Sequence, residues 1–204
     1  MSHNLVRAMG IAAVMLWSGS AFAETWTLNS DNSHLAFGSV KKDTVGEVHS
    51  FEDLSGSVGA DGSVSVQIGL DSVETYIDIR NERINEHVFG GVTLATLSAQ
   101  IDMDAMKAMD VGGMSVMDIE GTLAFLGRDI DIETEMFVTR LSEKQVIVTT
   151  NNMLFLSVED LGVNDGVDML MKLAKLPGIT RTVPVTVRMV FDRDDQKADL
   201  APAQ

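Results

Sequence analysis

His49 and Phe51 stand two residues apart, and Arg80, Arg83 and His87 follow at spacings of three and four, with Phe89 just beyond. A spacing of two puts His49 and Phe51 on one face of a strand. Spacings of three and four put both arginines and His87 on one side of a helix. Such a set offers donors, beside an aromatic ring, to the carbonyl or phosphate of a lipid headgroup. The plainer alternative is a structural histidine in a hairpin, with the arginines pairing Glu82 and Glu86 on a solvated helix. Nothing else in the chain combines into chemistry. The four histidines are scattered, none sits four residues from another, and cysteine is absent. Neither a G-x-S-x-G nor an H-E-x-x-H run occurs, and Glu133 and Glu135 alternate outward on a strand. The expectation is therefore no catalytic residue, no metal and no cofactor.

These residues belong to a run, 48–89, that combines a strand, a Gly-Ala-Asp-Gly turn at 59–62, a second strand and a short charged helix. Val64, Val66, Ile68 and Leu70 alternate without interruption, which is the mark of a half-buried strand. Residues 79–88 change to helical period, and Gly90-Gly91 ends that helix. Upstream, Trp26 and Leu28 alternate with polar neighbours, 29–33 is a turn cluster, and Leu35 and Phe37 share one face. Residues 41–43, Lys-Lys-Asp, are expected to be exposed, and 45–58 to be one strand. Downstream, Leu123 and Phe125 share a face, as do Ile132 and Met136, which alternate with acidic neighbours. Residues 104–113 are a loop with room for one helical turn, and 166–175 is a second helix. The last strand carries Val185 and Val187 inward, with Pro184 at an edge or at its start.

Composition narrows the class. The 204 residues carry a formal net charge of −15 and no cysteine, so stability rests on packing and strand pairing. So acidic a surface repels nucleic-acid phosphates and anionic headgroups. The 13 methionines suit an adaptable apolar interior. At the amino terminus, Arg7 precedes an apolar run and Ala21-Phe22-Ala23 has the form of a cleavage site, so 1–23 is predicted to be a secretory signal peptide. No cysteine follows it, which disfavours a lipid-anchored form, and the expected location is the periplasm. Residues 24–192 then form one domain, and 193–204 a disordered tail. Many antiparallel strands with short turns mean an all-β sandwich or barrel, and alternation alone does not separate the two.

Several motifs together resemble the YceI-like family. They are W-T-L-N-S-D-N-S-H-L-A-F from Trp26, H-S-F at 49–51, L-S-G-S-V before the Asp61-Gly62 turn, and D-S-V-E-T. R-N-E-R-I-N-E-H-V-F at 80–89 and L-P-G-I-T-R-T-V-P-V-T-V near the end complete the pattern. Lys41-Lys42 departs from it, since members often carry a histidine or aromatic there. The resemblance implies a lipocalin-like, antiparallel eight-stranded β-barrel with two short helices. It also implies an apolar channel for a polyisoprenoid chain, such as a polyprenyl lipid or the tail of ubiquinone. Leu35, Phe37, Val66, Ile68, Leu123, Phe125, Ile132, Met136, Val185 and Val187 are the candidate lining. His49, Phe51, Arg80, Arg83, His87 and Phe89 are the candidate contacts near one end, which the helix at 80–88 would gate. The expected partner is an isoprenoid lipid or quinone, with no nucleic acid and no integral membrane segment; a homodimer is compatible. Two alternatives stay open: an isomerase or cyclase acting on a buried lipid, and a structural or partner-binding barrel whose core is filled.

Overall fold

In the computed structural model, which describes residues 25–194, the alternating segments pair into one antiparallel sheet that closes on itself. Its strands are β1 (Trp26–Leu28), β2 (His34–Lys41), β3 (Val45–Phe51), β4 (Leu54–Val58), β5 (Ser63–Gly69) and β6 (Val73–Glu74). They continue as β7 (Leu94–Gln100), β8 (Met114–Phe125), β9 (Arg128–Ser142), β10 (Gln145–Thr150), β11 (Leu154–Ser157) and β12 (Thr182–Arg193). Short breaks bend β1–β2, β3–β4, β5–β6 and β10–β11 into single staves, so the wall is an eight-stranded barrel. β1 closes it by pairing β4 on one side and β12 on the other.

The breaks have local causes. Asn29 Oδ1 accepts from the Asn32 backbone N–H at 3.1 Å, which turns the chain between β1 and β2. At the second break, the N–H groups of Glu52 and Asp53 both donate to Ser72 Oγ, at 3.1 and 2.8 Å. The segment read as one strand over 45–58 is therefore two, because Ser72 draws two ladder donors out of line.

Among the described residues three α-helices cover the barrel. α1 (Asp78–His87) and α3 (Asn164–Ala174) match the two expected and pack on each other at one end. Gly166 makes that approach feasible, since a Cβ there would lie 2.5 Å from the His87 carbonyl oxygen. α2 (Met103–Ala108) is an addition. Asp102 caps it by accepting from the N–H groups of Asp104 and Ala105, and this fixes the helical turn for which the 104–113 loop had room, beginning one residue earlier at Met103.

Three further expectations are changed or narrowed. Lys41 is not an exposed turn residue but the last residue of β2, ion-paired to Glu47 at 2.7 Å. Pro184 lies inside the closed wall, so it is a strand-start proline and not an edge one. The last strand runs one residue past 192: Arg193 ends β12, and Asp194 donates its N–H to the Thr25 carbonyl at 3.0 Å. The predicted signal peptide and most of the predicted tail lie outside the described residues.

The β4–β5 turn provides a test. Gly62 has φ +85°, and a Cβ there would sit 2.1 Å from the Ile101 carbonyl oxygen. Gly62→Ala is expected to cost about 2 kcal/mol or more, lowering the thermal midpoint by roughly 4–8 °C in calorimetry. Gly46→Ala, with nothing within 4 Å, should change it far less.

Candidate functional site

The inward face of the barrel follows from strand parity. On β2 the inward residues are Leu35, Phe37, Ser39 and Lys41; opposite them on β3 stand Phe51, His49, Glu47 and Val45. This pair of rows runs from wholly apolar, through an aromatic–histidine pair, to a charged end. The other staves supply inward Val, Ile, Leu, Phe and Met at alternate positions, and together they enclose a cavity of about 650 Å³. That volume lies within the range of small-molecule sites. It is incompatible with the filled-core alternative.

The charged residues that line the cavity sit at its ends. One end carries Lys41, Glu47, Arg80 and Arg83; the other carries Lys107 and Arg140, where α2 covers the wall. Arg140 is anchored by donating to the carbonyl oxygens of Met109 and Lys107, at 2.7 and 3.2 Å. Between the ends the lining is almost entirely apolar, with Thr134 and Thr150 among the few exceptions. Trp26 also lines it, and its indole N–H has no hydrogen-bond partner.

α1 brings the first charged end together. Its cavity-facing stripe runs from Ile77 through Arg80, Arg83 and Ile84 to Val88, the spacing of one helix face. Arg80 Nη1 donates to Glu47 Oε2 at 2.8 Å, and its Nη2 donates to the Thr75 carbonyl at 2.5 Å. Lys41 Nζ donates to Glu47 Oε1 at 2.7 Å, so each oxygen of this carboxylate holds a cation. Burial pushes the Glu47 carboxyl up, but the hydrogen bonds from Lys41 and Arg80 outweigh it and hold the group below its usual range.

His49 is buried, and its Nε2 lies 3.0 Å from Ser39 Oγ, while Nδ1 is without a partner. Burial, reinforced by the charges of Arg80 and Lys41 against the opposing pull of Glu47, lowers its pKa to about 4. The imidazole is thus neutral near pH 7. From it an aromatic file leads inward. His49 and Phe37 have centroids 5.2 Å apart, and Phe37 stacks on Phe51 at 5.2 Å. Phe51 meets Phe89 at 6.1 Å, and Phe89 meets Phe125 edge-on at 6.1 Å. Such pairs contribute about 0.5–1.5 kcal/mol each beyond their burial.

The structure places Leu35, Phe37, His49, Phe51, Val66, Ile68, Arg80 and Arg83 on the cavity wall. Phe89, Leu123, Phe125, Ile132, Met136, Val185 and Val187 are there too. His87 is not. It ends α1 where α3 takes over, and its ring nitrogen lies 3.8 Å from Glu86. Sequence reasoning missed Ser39 and Glu47 and misplaced Lys41. Counting onward by two from Leu35 and Phe37, and back by two from His49 and Phe51, would have found all three.

A closed antiparallel barrel of eight strands around a hollow apolar interior defines a lipocalin-like protein. More narrowly, the chain belongs to the YceI-like family, whose sequence profile matches residues 26–191. It is similar to a solved polyisoprenoid-binding domain from Saccharophagus degradans implicated in plant cell wall breakdown. Identity is 32%, coverage 83% of this chain and 98% of that one, and the TM-score 0.81. It also shares its fold with Burkholderia cenocepacia BcnA, at 15% identity and a TM-score of 0.62, covering 80% of this chain and 98% of that one. No curated protein matches the chain.

The shifted histidine sets a pH dependence. In the unfolded chain His49 takes up a proton near its ordinary value of 6.5, but in the folded protein only near 4. Between these values the unfolded state binds more protons, so stability falls as pH drops from 6.5 towards 4, by on the order of 3 kcal/mol. Above pH 6.5 the effect is gone. Urea unfolding across this range should show the loss, and His49→Gln should flatten it; an unchanged slope in the variant would refute the assignment.

Proposed function

We propose that this protein binds an isoprenoid lipid or the tail of a quinone, the chain lying in the apolar bore and the head at the charged end near His49. The observation that carries this reading is the cavity of about 650 Å³, almost entirely apolar along its length and charged only at its ends. A linear run of methyl-branched prenyl units needs such a bore. Each Å² of apolar surface it removes from water contributes about 25 cal/mol, which requires no catalytic group. The polyisoprenoid-binding domain of Saccharophagus degradans, 32% identical, supports the same ligand class. With the leader read at 1–23, the role is that of a periplasmic carrier, and α1 gates the end where it faces the cavity.

An enzyme acting on a buried lipid would draw on His49 and Arg80, which do line the bore. Their state favours binding. A histidine with a pKa of about 4 is a weak base, and both oxygens of Glu47 are engaged by cations.

Native mass spectrometry with lipid extraction, on protein purified from cells, tests the reading. The expected result is a long-chain prenyl compound in stoichiometric amount; protein that neither carries nor takes up any such compound would sink it. Leu97→Trp, which puts an indole into the bore beside Val66, should reduce prenyl-lipid uptake at least about tenfold while the barrel stays folded by circular dichroism.

A further inference from the structure

The charged end of the cavity is out of electrical balance. Its lining presents three permanent cations, Lys41, Arg80 and Arg83, and a single carboxylate, Glu47. Lys41 and Arg80 share that carboxylate, at 2.7 and 2.8 Å. Glu74 is near enough to feel the Arg80 charge, but it does not line the cavity and its carboxylate accepts from Asn81 and the Tyr76 N–H. Arg83 is half-buried on the inward stripe of α1 and has no hydrogen-bond or ion-pair partner among the described residues. Arg80 Nε is buried and unpartnered as well. His49 adds no acceptor that a cation has taken up: its Nδ1 is also unpartnered. The end is therefore rich in unused donors and carries an excess of two positive charges, in a chain whose net charge is −15.

A cation facing an apolar cavity without a counter-charge is costly. A neutral carbonyl or hydroxyl would satisfy one or two donors and leave the charge in place. A phosphate monoester supplies nearly two negative charges and several acceptor oxygens, and so answers both deficits. Arginine guanidinium groups are shaped to hold it with paired donors.

We propose that this end is a headgroup site for an anion, the phosphate of a phosphorylated isoprenoid alcohol, with Arg83 and Arg80 as its ligands and Lys41 beside them. The inference rests on the binding reading above and specifies its head. The lipid's charge would complete the Lys41–Glu47–Arg80 cluster, and its chain would run along the Phe37, Phe51 and Phe89 file.

The test compares three ligands of equal prenyl length, delivered in the same detergent to delipidated full-length protein: the prenyl phosphate, the free prenyl alcohol and the corresponding ubiquinone. The phosphate is expected to bind at least about tenfold more tightly than either neutral ligand, with a preference that shrinks as salt rises. Arg83→Gln should bring the three within about threefold by weakening the phosphate, and Arg83→Lys should keep most of the preference. Because Arg83 has no hydrogen-bond or ion-pair partner among the described residues, neither variant removes a native polar contact there. Equal binding of the three ligands, or tighter binding of the quinone, overturns the anionic head and leaves the prenyl reading standing. Binding of none overturns both.

Discussion

The fold depends on a three-residue strand. β1 is inserted between β4 and β12, and these pairings turn a long meander into a ring. A sheet left open there would expose the edges of β4 and β12 and let water into the bore. Asp194, beyond the last strand, ties this seam from outside by accepting from Thr25 and Thr27. Closure creates a sheltered interior, and everything that distinguishes the site depends on that shelter. It makes His49 hard to protonate, and it gives the Glu47 ion pairs a strength that a solvent-exposed pair would lack.

Within the ring, parity assigns the chemistry. The same alternation that points Leu35 and Phe37 inward continues to Ser39 and Lys41, so β2 passes from oil to charge without changing face. β3 makes the same passage in reverse, and α1 adds its arginines across the opening. The polar end is thus the natural end of the apolar rows.

Much of this could be read in the residues. The alternation at 64–70 and 130–138, the turn at 59–62 and the helical spacing at 79–88 correspond to elements of the structure, because each is a local pattern that tertiary packing reinforces. What could not be read has physical reasons. The break at 52–53 depends on Ser72, some twenty residues away, taking two backbone donors. Lys41 reads as a turn residue because its neighbours Lys42 and Asp43 are one; its partner Glu47 lies across the hairpin. His87 has the spacing to face the cavity, but α3 occupies that place, through a contact that depends on Gly166 and leaves no local trace.

Trp26 brings a further consequence. Apart from Trp17 it is the chain's one tryptophan, and its indole, lacking a hydrogen-bond partner among the described residues, forms part of the cavity wall. A chromophore is thereby built into the compartment. Its emission colour and quenching register whether water or hydrocarbon fills the space beside it, so the protein carries its own optical gauge of occupancy and needs no attached dye.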